Sequence, residues 1–383
     1  MSGMLSLKER FETAQAEYDV LKQRCESQAV RWEWVDGFLY RPEPFFHERE
    51  QFSRGRVIPR EPKNNLERAT FAQYGFNKDN QLVVVRYNQA FGKVVELFYV
   101  QNGAVTEGTR YDVDHKLINV NRQYFVDDHI VRYEVLAQPP FSEPRWSKIE
   151  NYHYTNGKLA RIEGSNSRFE ITYSKRGVLH TIAGYYGVNG QRLVYRRPRK
   201  EETQKALGER LHKAFVQLIP KALANVEITE PVFNVTLCYS VASVGWDFFP
   251  PTLGVIYESD RQETIAKRQS LAGYLWNPHN FYNGDVADLW GLLDDDLREA
   301  CRLLGQEMGL SSRGCTFGQK LLRRVARDLA DFNWSTIFSI MPDFVIYPYL
   351  NEGASHVEFM RDFSASVPQE RIAQFQENGY FYR

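Results

Sequence analysis

Several short runs in this chain approach known catalytic or metal-binding patterns, and each lacks a residue its chemistry requires. Gly309-Leu310-Ser311-Ser312-Arg313-Gly314 comes near the G-x-S-x-G elbow that exposes a nucleophilic serine, but its second glycine is misplaced. His47-Glu48 opens like the H-E-x-x-H helix of zinc proteases, where two histidines one turn apart hold the metal; Gln51 stands in the second position. His356-Val357-Glu358 supplies the H-x-E of a zinc deaminase, and the chain has no P-C-x-x-C to complete the ligand set. Asn277-Pro278-His279-Asn280 holds part of an HNH core without its other histidines. Neither glycine-rich phosphate loop, G-x-x-x-x-G-K-[ST] or G-x-G-x-x-G, occurs. The eight histidines are scattered without ligand spacing. The sequence therefore points to no catalytic residue, no metal site and no cofactor.

Two other groups of residues point to contact with a partner. Trp246-Asp247-Phe248-Phe249-Pro250-Pro251 joins two expected strands with consecutive bulky residues, where a connecting segment is normally polar. Exposed, Trp246, Asp247, Phe248 and Phe249 form an interface anchor; turned inward, they pack beneath a helix. Asp294-Asp295-Asp296, with Asp285 and Asp288 upstream, concentrates carboxylates in one short stretch. Lying inside an expected helical stretch, these read either as a solvated face or helix terminus, negative charge being favoured at a helix start, or as an acidic docking surface. Tyr274-Leu275-Trp276-Asn277-Pro278 with Phe281-Tyr282 is a second aromatic link, read as core.

The elements that would position these residues fall into two textures. At the N-terminus Leu7, Phe11, Ala14, Tyr18, Leu21, Cys25 and Gln28 alternate spacings of four and three, with Trp32 beyond. That stripe predicts an amphipathic helix over 1–36, docked on the following domain or self-associating. Residues 37–70, with Pro42, Pro44, Pro59 and Pro62, read as an extended connector. Over 71–198 aromatic and β-branched residues alternate with polar ones in Leu82–Tyr87, Val94–Val100, Ile130–Leu136, Lys148–Tyr154, Phe169–Tyr173 and Arg192–Arg196. Turns at Lys78-Asp79-Asn80, Asn102-Gly103, Asp127-Asp128, Asn156-Gly157, Arg176-Gly177 and Asn189-Gly190 separate them, so an antiparallel β-meander follows.

Residues 199–383 read as a second, α+β domain. A helix is expected over Glu201–Leu223, kinked or ended by Pro220. Strands follow at Val232–Val244 and Leu253–Tyr257, helices near Arg261–Tyr274, Val286–Met308 and Phe317–Phe332, and a strand at Phe344–Tyr349. The last helix takes Ser366 as N-cap, has Pro368 just inside, and ends before Gly379. The fold class is thus α+β: an N-terminal helix, a hairpin meander and a C-terminal α+β domain.

Composition narrows the class. At 383 residues, two or three domains are expected and no staple is needed. The 48 basic and 48 acidic residues balance, but residues 1–200 hold 31 Lys/Arg and 24 Asp/Glu, whereas 201–383 hold 17 and 24. Such opposite halves either dock on each other or turn the acidic one toward a basic partner. Neither half is basic enough to bind nucleic acid directly. The cysteines Cys25, Cys238, Cys301 and Cys315 contain no C-x-x-C pair, which reads as a reducing, cytoplasmic setting. No apolar run has the length of a membrane span, and no signal-peptide core opens the chain.

Two resemblances add a functional expectation. The runs Tyr74–Leu82, Tyr152–Leu159 and Ile171–Leu179 share an aromatic strand, a polar turn and an apolar return. In this the N-terminal half is similar to the hairpin repeats of bacterial Rhs/YD and MORN-like proteins. The C-terminal half resembles a family of small α+β immunity proteins from bacterial polymorphic-toxin systems. The likeness lies in Thr236–Ser240 with Gly254–Tyr257, Leu275–Pro278 with Phe281-Tyr282, Asn333-Trp334 with Asp343–Tyr347, and Ser364–Pro368 with Arg371-Ile372, Phe375 and Gly379. It implies a cytoplasmic immunity protein, monomeric or weakly dimeric, that neutralises a cognate toxin by covering its surface without catalysis. A basic toxin such as a nuclease would suit the acidic half. Two alternatives stay open: an adaptor self-associating through Leu7, Phe11, Ala14, Tyr18 and Leu21, and an enzyme whose site is assembled from dispersed residues.

Overall fold

The computed structural model describes every residue except 1–3, 38–39, 89–92, 139–144, 187–189, 242–247, 268–273, 282–285, 312–314, 352–355 and 382–383. The fold is α+β, and the chain divides into two compact units. The first holds Met1–Arg49 and Ser53–Arg197; the second holds Glu50–Phe52 and Pro198–Arg383.

The first unit is built on one antiparallel sheet of 13 strands. Its early strands are β1 (Arg31–Asp36), β2 (Arg56–Ile58), β3 (Ala72–Phe76), β4 (Leu82–Asn88), β5 (Val94–Asn102), β6 (Val105–Tyr111) and β7 (Leu117–Val126). The later ones are β8 (His129–Ala137), β9 (Trp146–Thr155), β10 (Lys158–Gly164), β11 (Ser167–Tyr173), β12 (Leu179–Tyr186) and β13 (Gln191–Arg196). From β3 to β13 each strand pairs with the next in sequence, and β1 and β2 close the other end in the order β3-β1-β2. The six strands expected from alternation lie within two residues of their expected ends. Tight turns enforce the meander: Asp127-Asp128 and Asn156-Gly157 all take positive φ, the geometry of a two-residue hairpin turn. Strand β7 escapes alternation because Asn121, Arg122 and Gln123 are polar and buried together.

The N-terminal stripe is covered by this sheet. Helix α1 (Leu7–Ala14) begins in a capping box between Ser6 and Glu9 and gives way to a 3-10 turn at Gln15–Glu17; α2 (Tyr18–Gln28) follows. At the break the Tyr111 hydroxyl donates to the Ala14 carbonyl at 2.6 Å, and the Gln15 amide bridges His115 O and Leu117 N on the sheet. Phe11, Ala14, Tyr18, Leu21 and Cys25 are buried against Val84, Phe98, Tyr111 and Val120. The helix ends before Trp32, contrary to expectation; Trp32 lies in β1 opposite Gly75, where its ring occupies space beside the missing side chain. The stripe proposed for self-association is therefore interior. The connector between β1 and β3 is partly ordered into short helices α3 (Phe46–Glu50) and α4 (Asn65–Arg68), and α3 brings Arg49 to Glu150 on β9.

The second unit is a mixed three-stranded sheet with helical layers on both faces. Its strands are β14 (Val232–Tyr239), β15 (Thr252–Tyr257) and β16 (Ile340–Leu350), in the order β15-β14-β16, with β14 and β16 parallel. Its helices are α5 (Gln204–Ala224), α6 (Glu258–Ala266), α7 (Asp295–Leu310), α8 (Thr316–Ala330), α9 (His356–Ser364) and α10 (Gln369–Glu377). Every residue of β14 is buried, because each face meets its own core. Val235, Leu237 and Tyr239 join α5, α7 and α8. Phe233 and Cys238 join Trp276, Phe363, Phe375 and Phe381.

Four local expectations are corrected. Helix α5 runs through Pro220 to Ala224, so of the two alternatives the proline does not end it. Strand β14 stops at Tyr239, short of Val244. The helix expected from Val286 starts only at Asp295, because Val286–Leu293 holds an isolated bridge between Leu253 and Ala287 and a 3-10 turn at Trp290–Leu292. Ser366 does not cap α10: its hydroxyl donates back to the Asp362 and Phe363 carbonyls at the end of α9. Gly379 does end α10, with φ +73° and the paired Gly379 N–Gln376 O and Tyr380 N–Phe375 O bonds of a Schellman cap.

Candidate functional site

The acidic stretch of the second unit surrounds the start of α7, and its members do different work. Asp294 is the N-cap and accepts the Leu297 amide at 2.7 Å. Asp288 accepts the Trp290 amide at 2.8 Å and closes the preceding turn. Asp295 pairs with Arg298 at 3.3 Å, and Asp296 reaches Arg210 of α5 at 3.3 Å, both from strongly exposed positions. Pairs so solvated contribute little to stability, which leaves these two carboxylates available to a partner. Between the caps, Trp290 and Leu292 are 40% and 36% exposed. The Arg298 guanidinium donates twice to the Trp290 carbonyl, at 3.3 and 3.1 Å, and so holds the aromatic turn against the helix. Trp290 is not among the residues singled out from the sequence; an aromatic two residues after one capping aspartate and four before the next is the signal that marks it.

The aromatic run before β15 faces the other way. Phe248 and Phe249 are buried, so neither offers surface to a partner, and the inward alternative holds for both. Phe248 packs on Tyr239 at 5.0 Å between ring centroids, and Phe249 packs on Phe215 of α5 at 6.0 Å. A glycine on α8 makes the room: a Cβ at Gly318 would overlap the Phe248 ring. Trp246, Asp247 and Asp285 lie outside the described residues.

Polar clusters inside each unit are closed ion-pair networks. In the second, Asp362 accepts Arg323 Nε at 2.8 Å and the Tyr239 hydroxyl at 2.6 Å, while Gln319 donates to that hydroxyl at 3.3 Å. Burial, with Asp362 beside it, pushes the Tyr239 phenol far up, so it remains a donor at any physiological pH. In the first unit, Tyr18 donates to Glu96 at 2.5 Å, and Lys22 and Arg86 pair with the same carboxylate. Burial alone would raise the Glu96 carboxyl; Tyr18 and Arg86 outweigh it and hold it low. Each of these shifts strengthens the ordinary charge state, the opposite of what a group exchanging protons near neutrality needs.

Two of the near-miss motifs can be followed into the fold. His279 Nε2 meets Asn351 Oδ1 at 3.1 Å on the surface, and Ser311 is the C-cap of α7, with 312–314 outside the described residues. Among the described residues no group of three His, Cys, Asp or Glu side chains is placed to hold a metal ion. No family model matches the chain, and no curated protein matches it.

Proposed function

We propose that this chain works by binding, as a cytoplasmic immunity protein that covers a basic bacterial toxin domain, a nuclease being the partner best matched in charge. The observation that carries this reading is the face at the start of α7: exposed Trp290 and Leu292 flanked by the open carboxylates of Asp295 and Asp296. An aromatic anchor within a charged rim is the arrangement of an interface hot spot, and the acidic field speeds encounter with a basic surface. Arg298 and the two aspartate caps hold the patch in place before contact, which lowers the ordering cost of binding. A reducing compartment agrees with the free cysteines, whose buried thiols at Cys25 and Cys301 are pushed up to about 11 and about 12.

The test is a pull-down with the full chain at low and high salt, followed by association kinetics on the captured partner. The double variant Asp295→Lys/Asp296→Lys is expected to slow association at least about tenfold at low salt and to flatten its salt dependence. Trp290→Ala is expected to act mainly on dissociation. Capture of no basic protein, or unchanged kinetics in both variants, would overturn the proposal.

A further inference from the structure

The first unit holds a cleft of about 810 Å³ at the hairpin ends of β3–β8, walled by α2, the Tyr40–Pro42 segment and strand residues. Its size falls among small-molecule sites, which run roughly 300–1,000 Å³. Its charges cancel: Arg24 and Arg41 stand against Asp127 and Asp128. Two buried polar side chains on its wall are unspent. Gln123 of β7 and Tyr99 of β5 are 9% and 7% exposed, and neither the Gln123 amide nor the Tyr99 hydroxyl has a hydrogen-bond partner among the described residues. Neither group's polar atoms are sealed from solvent, so both are open to a ligand in the cleft.

A third orphan adjoins them. Asn121 is buried, and its Oδ1 has no partner. Its amide and the Tyr99 ring both flank the space that a side chain at Gly108 would fill. The register places these residues side by side, with Tyr99 opposite Gly108 and Gly108 opposite Asn121.

We propose that this cleft binds a small neutral polyhydroxylated ligand, of mono- or disaccharide size. An amide offers both donor and acceptor, and a hydroxyl does the same, which is the complement a sugar hydroxyl needs. The balanced charge disfavours phosphates and nucleotides, which take an excess of cations. Tyr40 and Phe125 supply apolar faces for the C–H side of a sugar ring. This site is separate from the α7 surface and does not depend on the immunity reading.

The experiment is ligand-observed saturation-transfer NMR on the full chain at millimolar glucose, maltose, cellobiose, trehalose and N,N′-diacetylchitobiose, with inorganic phosphate and AMP as charged comparators. At least one neutral sugar is expected to receive saturation. Gln123→Leu and Tyr99→Phe should each weaken it roughly tenfold, the worth of one buried hydrogen bond. Neither variant removes a bond from the folded protein, so both should melt as the parent does. Silence from all five sugars, displacement by phosphate or AMP, or unchanged binding in both variants overturns the proposal.

Discussion

The Arg49–Glu150 pair should dominate the acid sensitivity of the first unit. Both side chains are essentially removed from water, at 3% and 0% exposure. Glu150 accepts both guanidinium nitrogens of Arg49 and the Tyr152 hydroxyl at 2.7 Å, with Lys148 at 3.1 Å, while the Arg49 guanidinium lies 4.3 Å from the Phe169 ring centre. Burial alone would raise the carboxyl; Arg49 and Lys148 outweigh it and hold the group down to about 2, against an ordinary 4.5. A carboxyl depressed on folding contributes stability above its unfolded pKa, and that contribution is lost as pH falls through the folded one. The depression corresponds to about 3 kcal/mol at neutral pH. Glu150→Gln keeps the shape and leaves Arg49 charged in the interior, so a similar loss is expected. For a unit of this size that is a drop of roughly 6–12 °C in melting temperature.

Calorimetry at pH 7 and at steps down to pH 2 measures it, with hydrogen exchange in β9–β11 assigning the shifted transition. The gap between parent and variant should be full at pH 7, narrow below pH 4.5 and close near pH 2. Replacing both partners, Arg49→Met with Glu150→Leu, should recover most of the loss, because no charge is then stranded. A gap below about 1 kcal/mol at pH 7, or one that does not change with pH, would refute the reasoning.

Other substitutions test single packing and capping arguments. Asn234 is fully buried on β14 with neither amide atom paired, so Asn234→Leu should raise stability by about 1–3 kcal/mol; a lower melting point would show that the amide is satisfied. Gly318→Ala should destabilise the second unit by about 1–3 kcal/mol through collision with Phe248, and a silent mutation would mean that Phe248 is not packed where described. Asp294→Ala should cost about 1 kcal/mol as a lost cap, whereas Asp295→Ala should stay within about 0.5 kcal/mol in denaturant titration. Equal effects from the two aspartates would remove the distinction drawn between them.

Local chemistry carried much of the architecture. Alternation in segments such as Leu82–Tyr87, and paired turn residues such as Asn156-Gly157, specify hairpins within a few residues of chain, because side-chain period and positive φ are local properties. The amphipathic stripe from Leu7 to Cys25 likewise announced a buried helical face. What covers that face was not local: the stripe suits a second copy as well as a sheet, and only the fold supplies Val84, Phe98, Tyr111 and Val120. The same limit applied to β7, where Asn121, Arg122 and Gln123 look like loop residues until neighbouring strands bury them.

The candidate surface divides along the same line. That Asp288 and Asp294–Asp296 gather in one short stretch is readable from the sequence. Which of them are consumed as caps and which remain open depends on where the helix begins, and that is set by the Leu253–Ala287 bridge holding Val286–Leu293 outside it. Phe248 and Phe249 are equally apolar whether they face solvent or core. Phe248 turns inward into the space left by the missing side chain of Gly318, 70 residues away in the chain, and Phe249 packs on Phe215 of α5. Periodicity and turn chemistry act over a few residues and can be read along the chain; exposure is a property of the partners that other segments bring, and only the tertiary structure assigns it.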